Sequence, residues 1–494
     1  MNKKTALILS LVFVILGDIS IAQETTSLRN VIEKYVEAEA EYGTFSGAVL
    51  VAREGEIIYS GAVGLENKEK NIPNKLATKF NMGSIGKTFT AILIMQLVET
   101  GQMKLSDPLE KYLPDFPHPE KSAITITHLL THSSGLGNYF THDGYWGVIN
   151  TARNINEVLP FVYDQPLKDF IPGEQYHYSN SGMLVLGAII EKVTGMSYKE
   201  VLEKKILEPA GMNNSGLYYY GDKVTNRAVG YTKIGENEYR AESETQFAPF
   251  SEGGILSTME DMLQYDRALH DNILLSEKSK SLMFSMTGPD KNYALGWEIG
   301  VYEGEHFVGH VGGTYGFMAD FIRFPEKQIM IIVASNCIIE SSYNKAGIIL
   351  PAKIKALVFK EGKTNIPLAT QYDYNFQKGR YLSEVEKDYQ ASIELLDKNI
   401  RGPNPHLPSL FLAARSRIFG NIEVEKAIEL LQQYMKLNPE ASNSTQAAVW
   451  WLSGKGYEQL NDPEKAIDCY KKNLKVNPEF NRAKESLNQL TGEK

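Results

Sequence analysis

The chain has 494 residues, 43% of them hydrophobic and 22% charged, with a formal net charge of -9. That length calls for two or three domains rather than one core, and the composition is that of a globular protein. The negative balance, with no basic cluster to offset it, excludes nucleic acid as the partner.

Lys3 and Lys4, the apolar run from Ala6 to Leu16 and the small residues Ser20-Ile21-Ala22 read as an export signal over residues 1–22. Cleavage after Ala22 and a periplasmic or secreted destination are expected. The run is shorter than the ~20 apolar residues of a spanning helix, so no membrane span is expected after cleavage, and no cysteine follows it to carry a lipid. Leu28 to Tyr42 has helical periodicity. Gly47 to Val51 and Glu56 to Ser60 then form a predicted hairpin turning at Arg53-Glu54-Gly55.

Next comes Ser84-Ile85-Gly86-Lys87, followed by Phe89, Ile92, Leu93 and Leu97 at helical spacing. Residues three apart on a helix share a face, so a hydroxyl and an amine stand one turn apart. At a helix start, free N–H groups and the positive end of the macrodipole favour negative charge on the serine oxygen. Residues 101–256 are loop-rich and helical, with few strand runs, and read as an inserted lobe. Strand-like segments return at Ala294 to Val301, His306 to Val311, Gly316 to Phe324 and Gln328 to Ser335, and a helix is predicted over about 344–359. The N- and C-terminal pieces of this region therefore close one sheet.

Residues 361–370 read as a linker, and residues 371–494 as helical throughout. Glu425-Lys426-Ala427-Ile428-Glu429 and Glu464-Lys465-Ala466-Ile467-Asp468 are offset by 39, and each ends in Asn-Pro, at Asn438-Pro439 and Asn477-Pro478. With Leu452-Ser453-Gly454 and Tyr457, this part resembles tetratricopeptide repeats, stacked helix pairs that present a face to a peptide or protein partner. Its acidic and basic side chains cancel, so the net charge lies in the part before it.

Two further motifs accompany Ser84 and Lys87 in chain order: Tyr178-Ser179-Asn180 and His310-Val311-Gly312-Gly313. With these, residues 25–360 resemble the serine β-lactamase and penicillin-binding-protein superfamily, in the branch related to class C β-lactamases. Longer stretches carry the likeness too: Thr127-His128-Leu129-Leu130-Thr131-His132-Ser133-Ser134-Gly135-Leu136, Pro172-Gly173-Glu174, Glu252-Gly253-Gly254-Ile255-Leu256-Ser257-Thr258 and Leu295-Gly296-Trp297. The resemblance implies an α/β sandwich, with an antiparallel sheet flanked by helices, an all-helical lobe, and a site in the crevice between them. It implies a serine hydrolase acting through a Ser84 acyl-enzyme on small amides or esters, of the D-alanyl-D-alanine carboxypeptidase, D-peptidase or esterase kind. A class C β-lactamase and a non-catalytic scaffold that works through its repeats are the rival readings.

An unperturbed lysine, with pKa near 10.4, is protonated at pH 7, and bringing Lys87 to neutrality costs about 4 kcal/mol. Either Lys87 is the base, or Tyr178 is, with Lys87 kept charged beside it. The resemblance gives Asn180 to Lys87 and the substrate amide, and the N–H groups of Ser84 and Gly313 to an oxyanion hole that Gly312 and Gly313 leave open. β-Lactamases of the superfamily carry lysine where His310 stands. A histidine is mostly neutral at pH 7, so a carboxylate-bearing ligand is expected to bind His310 weakly and with pH dependence, which favours peptidase or esterase work over efficient β-lactam hydrolysis.

No metal and no cofactor are expected: His128 and His132 are four apart but lack the glutamate and third ligand of a zinc motif. Tyr139-Phe140, Tyr145-Trp146 and Tyr218-Tyr219-Tyr220 either line the cleft or pack under loops. Cys337 and Cys469 are expected as two buried single thiols.

Overall fold

The computed structural model describes residues 27–492 except 149, 169, 235–237, 243–249, 340–349, 364–367, 369–370, 403–404 and 440. The predicted export signal and the middle of the linker lie outside the described residues. The chain divides into two compact units, residues 1–338 with 347–368 and residues 339–346 with 369–494.

The first unit is built on a six-stranded sheet. Its strands are β1 (Gly47–Arg53), β2 (Glu56–Val63), β3 (Glu298–Tyr302), β4 (Glu305–Thr314), β5 (Phe317–Phe324) and β6 (Ile329–Ser335). They lie in the order β2-β1-β6-β5-β4-β3, every neighbouring pair antiparallel. β1 and β6 are side by side at the centre, with Gly47 opposite Ser335 and Arg53 opposite Ile329.

Successive side chains of a strand point to opposite faces, and here both faces are covered. Ala48, Leu50 and Ala52 of β1 and Met330, Ile332 and Ala334 of β6 enter the larger core. Val49 and Val51, with Ile329, Ile331 and Val333, enter a second core on the other side. This explains why β6 reads as an unbroken apolar run: all seven of its residues are buried, at about 1.5–3 kcal/mol per large side chain. Helix α1 (27–41) covers the second core together with α5 (Leu350–Phe359).

The larger core holds α2 (Gly86–Glu99), α3 (Asn180–Thr194) and α4 (Met259–His270). Helix α2 is buried at nearly every position from Gly86 to Leu97, because the sheet lies on one side and the helical lobe on the other. The Phe89 ring stacks on Tyr265 of α4 at 4.2 Å. The lobe also carries a short hairpin, Tyr231–Lys233 with Tyr239–Ala241, which the sequence pattern did not announce.

From Gln371 onward the described elements of the second unit are helices: α6 (Gln371–Tyr381), α7 (Tyr389–Asn399), α8 (Leu407–Gly420), α9 (Val424–Leu437), α10 (Asn443–Gln459), α11 (Pro463–Val476) and α12 (Asn481–Thr491). Successive helices pack on each other, around Leu410, Leu431 and Val449 and then around Ala466, Tyr470 and Ala483. Helices α9 and α11 begin at Val424 and Pro463, the two segments whose sequences align. Cys337 and Cys469 are both free and buried.

Candidate active site

Ser84 lies in a single 3-10 turn, Gly83–Ile85, that runs directly into α2. Backbone presses on this turn from two sides. A Cβ at Gly312 of β4 would stand 1.9 Å from the Met82 carbonyl oxygen, and one at Gly253 would stand 2.8 Å from that of Gly83. Only glycine permits such approaches, and they bring β4 and the Glu252-Gly253-Gly254 segment against the serine. Two main-chain bonds fasten that segment, Met82 N–H to Ile255 at 2.9 Å and Gly254 N–H to Gly83 at 3.3 Å.

One turn along α2, Lys87 is fully buried. Its Nζ lies 2.9 Å from Ser84 Oγ and donates to the Glu252 main-chain oxygen at 2.6 Å. Tyr178 reaches the same serine from the lobe, its hydroxyl donating to Ser84 Oγ at 2.9 Å. What aims it is the start of α3. Ser179 caps that helix, accepting from Gly182 N–H at 2.8 Å and donating to the Gly137 carbonyl at 2.9 Å. Asn180 is the first residue of the helix, and its amide donates to Asn138 Oδ1 at 3.4 Å. The hydrogen bonds of Lys87 thus run to Ser84 and Glu252, and that of Asn180 to the lobe.

Burial pushes the Lys87 ammonium down to about 7, against the opposing charge of Glu252. The same burial pushes the Glu252 carboxyl up to about 7, resisted by the Tyr139 hydroxyl and by Lys87. Tyr139 donates to Glu252 Oε1 at 2.6 Å, and the two titrating groups form one interacting pair. Burial raises the Tyr178 phenol above its ordinary value, its hydrogen bond to Ser84 acting the other way. Glu252 and Tyr139 had no assigned role in the sequence reading: the carboxyl belongs to a side chain whose main-chain oxygen does the contacting, and no motif marks a backbone carbonyl.

His310 lies in β4 and is 2% exposed. Its Nε2 meets the Tyr293 hydroxyl at 2.9 Å and its Nδ1 the Val311 carbonyl at 2.7 Å, so both ring nitrogens are engaged inside the protein. This differs from an imidazole free to take a ligand: the ring lies 6.5 Å from that of Tyr178, but its nitrogens are already bonded within the protein. β3 pairs with β4 no further than Glu298 opposite Gly309, which leaves 310–314 an open edge. Val311 N–H points to that edge, towards Glu298 Oε1 at 3.4 Å. N–H groups two apart on a strand point the same way, so Gly313 N–H does too, next to the Ser84 turn.

His128 and His132 serve separate local structures. His128 Nδ1 accepts the Thr125 N–H at a helix start, whereas His132 Nδ1 accepts the N–H of Ser179. Among the aromatic residues, Tyr139 and Tyr145 are fully buried, while Trp146 and Tyr220 are exposed.

A serine whose oxygen is touched by a buried lysine and a tyrosine, beside an open glycine-bearing strand edge, defines a serine hydrolase. Residues 28–345 match the Beta-lactamase family, and the chain belongs to it. Penicillin-binding protein 4* of Bacillus subtilis (strain 168) is 29% identical over 343 residues, 64% of this chain and 74% of that protein. The putative penicillin-binding protein PbpX of the same organism is 32% identical over 260 residues, 52% of this chain and 62% of that protein. The crystal structure of a penicillin binding protein from Bacillus halodurans is 29% identical, with a TM-score of 0.58, over 65% of this chain and 98% of that one.

Proposed function

We propose that the protein is an exported hydrolase that forms an acyl-enzyme on Ser84 with small amides or esters and releases it to water. The observation that carries this reading is the meeting of Lys87 Nζ and the Tyr178 hydroxyl on one serine oxygen, each at 2.9 Å.

Lys87 is the base. A free amine within reach of Ser84 takes its proton as Oγ bonds to the carbonyl carbon, and passes it to the leaving nitrogen or oxygen as that bond breaks. The phenol of Tyr178, with its pKa raised by burial, is a poor candidate for the anion and acts as a hydrogen-bond donor that orients Oγ. The N–H groups of Ser84 and Gly313 hold the developing oxyanion, a contribution on the order of 10²–10³ in rate. Asn180 lines the lobe side for the substrate amide, and Gly312 keeps the strand close.

Peptidase or esterase work, with D-amino-acid-containing peptides as leading substrates, fits better than efficient β-lactam hydrolysis. The buried, fully bonded imidazole of His310 places no cation where a β-lactam carboxylate would need one, and the penicillin-binding names of the relatives agree with a site that acylates. A fluorophosphonate or fluorescent penicillin should label the protein, and Ser84→Ala should abolish the label. A panel of D-alanyl dipeptides, p-nitrophenyl esters and a chromogenic cephalosporin then ranks substrates. Labelling that persists in Ser84→Ala overturns the reading.

A further inference from the structure

Behind Tyr178 runs a line of buried polar contacts that the acylation chemistry does not use. The Ser179 N–H meets His132 Nδ1 at 3.2 Å. His132 Nε2 meets the Tyr293 hydroxyl at 3.0 Å, which meets His310 Nε2 at 2.9 Å, and His310 Nδ1 meets the Val311 carbonyl at 2.7 Å. The two ends fix the direction of the whole line. A backbone N–H can only donate and a carbonyl can only accept. His132 Nδ1 is therefore bare and its Nε2 carries the hydrogen, which goes to the Tyr293 oxygen. Tyr293 gives its own hydrogen to His310 Nε2, and His310 Nδ1–H goes to Val311. Each donor then has one acceptor, with both histidines neutral and in opposite tautomers.

We propose that Tyr293 is a positioning residue which, through this one-way chain with His132 and His310, locks the start of α3 to strand β4 and so holds Tyr178 on Ser84. The chain joins the lobe segment at His132, the cap residue next to Tyr178, and the strand that carries Gly312 and Gly313. Its members also wall in the phenol: the His132 ring lies 4.4 Å from that of Tyr178 and 4.7 Å from that of Tyr293. A proton added at His132 Nδ1 would face the Ser179 N–H, and one at His310 Nε2 would face the Tyr293 hydroxyl hydrogen, so either breaks a link. Burial and the charge of Lys87 both hold the two imidazoles neutral. The other groups facing the chain are Glu298, 3.8 Å from His310 Nδ1 and acting to raise its pKa, His177, which acts to lower that of His132, and the phenols of Tyr176 and Tyr178.

The catalytic consequence rests on the proposed role of Ser84, but the tautomers do not, so the test reads both. In ¹⁵N spectra of the full chain at neutral pH, His132 should show hydrogen at Nε2 and His310 at Nδ1. Imidazolium or the reverse tautomers at either residue would overturn the proposal whatever the enzyme's activity. Tyr293→Phe keeps the ring and removes the links. Its acylation rate should fall about tenfold with KM little changed, an unpaired buried group being the cause, and a further loss should appear on the acid side of the Lys87 limb as His310 gains a proton more easily. A Tyr293→Phe variant with the rate and pH profile of the parent would equally overturn it. If neither protein acylates any probe, the Ser84 reading fails while the tautomers still decide the chain.

Discussion

The main-chain oxygen of Glu252 accepts from Lys87 Nζ at 2.6 Å, which puts an acidic residue's backbone on the buried lysine and its buried carboxyl close enough to alter the lysine's charge. The arrangement makes the proton balance of the site depend on Glu252 as well as on Lys87.

Burial holds the Lys87 pKa down to about 7, so kcat/KM for acylation should climb as pH rises through about 7. The Glu252 carboxylate acts to raise Lys87. Glu252→Gln removes that influence, and the rising limb should move to lower pH in a stopped-flow or steady-state profile. A limb fixed in place would assign the titration to another group.

Lys87→Met should exchange activity for stability. A lysine that is ammonium in the unfolded chain and amine in the folded one loses its proton on folding. The cost is greatest at and below the folded value near 7 and fades as pH approaches the ordinary 10.4. The variant should lose acylation by on the order of 10³ yet melt higher at pH 7.5, by roughly 2–4 °C per kcal/mol gained. The gain should shrink by pH 10, which melting curves at the two pH values would read.

Tyr139→Phe takes the donor from Glu252 Oε1, and Glu252 Oε2 is buried without a hydrogen-bond partner. A buried carboxyl with neither oxygen paired should cost about 1–3 kcal/mol in urea unfolding. The loss should be larger above pH 7, where the group is ionised and the missing donor matters most.

Two adjacent glycines should part company. A Cβ at Gly312 meets rigid backbone, the Met82 oxygen at 1.9 Å, whereas one at Gly313 meets only Met318 Sδ at 3.4 Å and Cε at 3.6 Å. Gly312→Ala should cost roughly 2–3 kcal/mol or more through overpacking and lose labelling. Gly313→Ala should keep the melting temperature of the parent, as thermal scans of the pair would show.

Much of this architecture was legible because burial leaves a period in the sequence. The hairpin of β1 and β2 and the apolar run of β6 were readable from side-chain pattern alone, and Ser84, Lys87 and Tyr178 from the motifs that the chemistry requires. Where backbone did the work, nothing showed. Ala294 to Trp297 looked like strand, yet β3 begins only at Glu298: Gly296 has φ +74 and lies against Ala91, so the chain bends there to clear α2. His310 was read as a ligand contact because it stands where related β-lactamases carry lysine, and no motif shows that both ring nitrogens are taken up by Tyr293 and Val311. Tyr293 was passed over because a single tyrosine in a loop has no pattern, and its meaning depends on two histidines that are remote in sequence.

The side-by-side placement of β1 and β6 orders events in time. The hydroxyl of Ser46 bonds to Asn336, 290 residues later, and β1 stays without its inner neighbour until Ile329–Ser335 has been synthesised. A chain released from the ribosome short of Ser335 would bare one long side of β1 and leave both cores without the side chains of β6, an invitation to aggregate. Ser84, made early, must wait for one of the last strands of its unit before it has a floor to stand on.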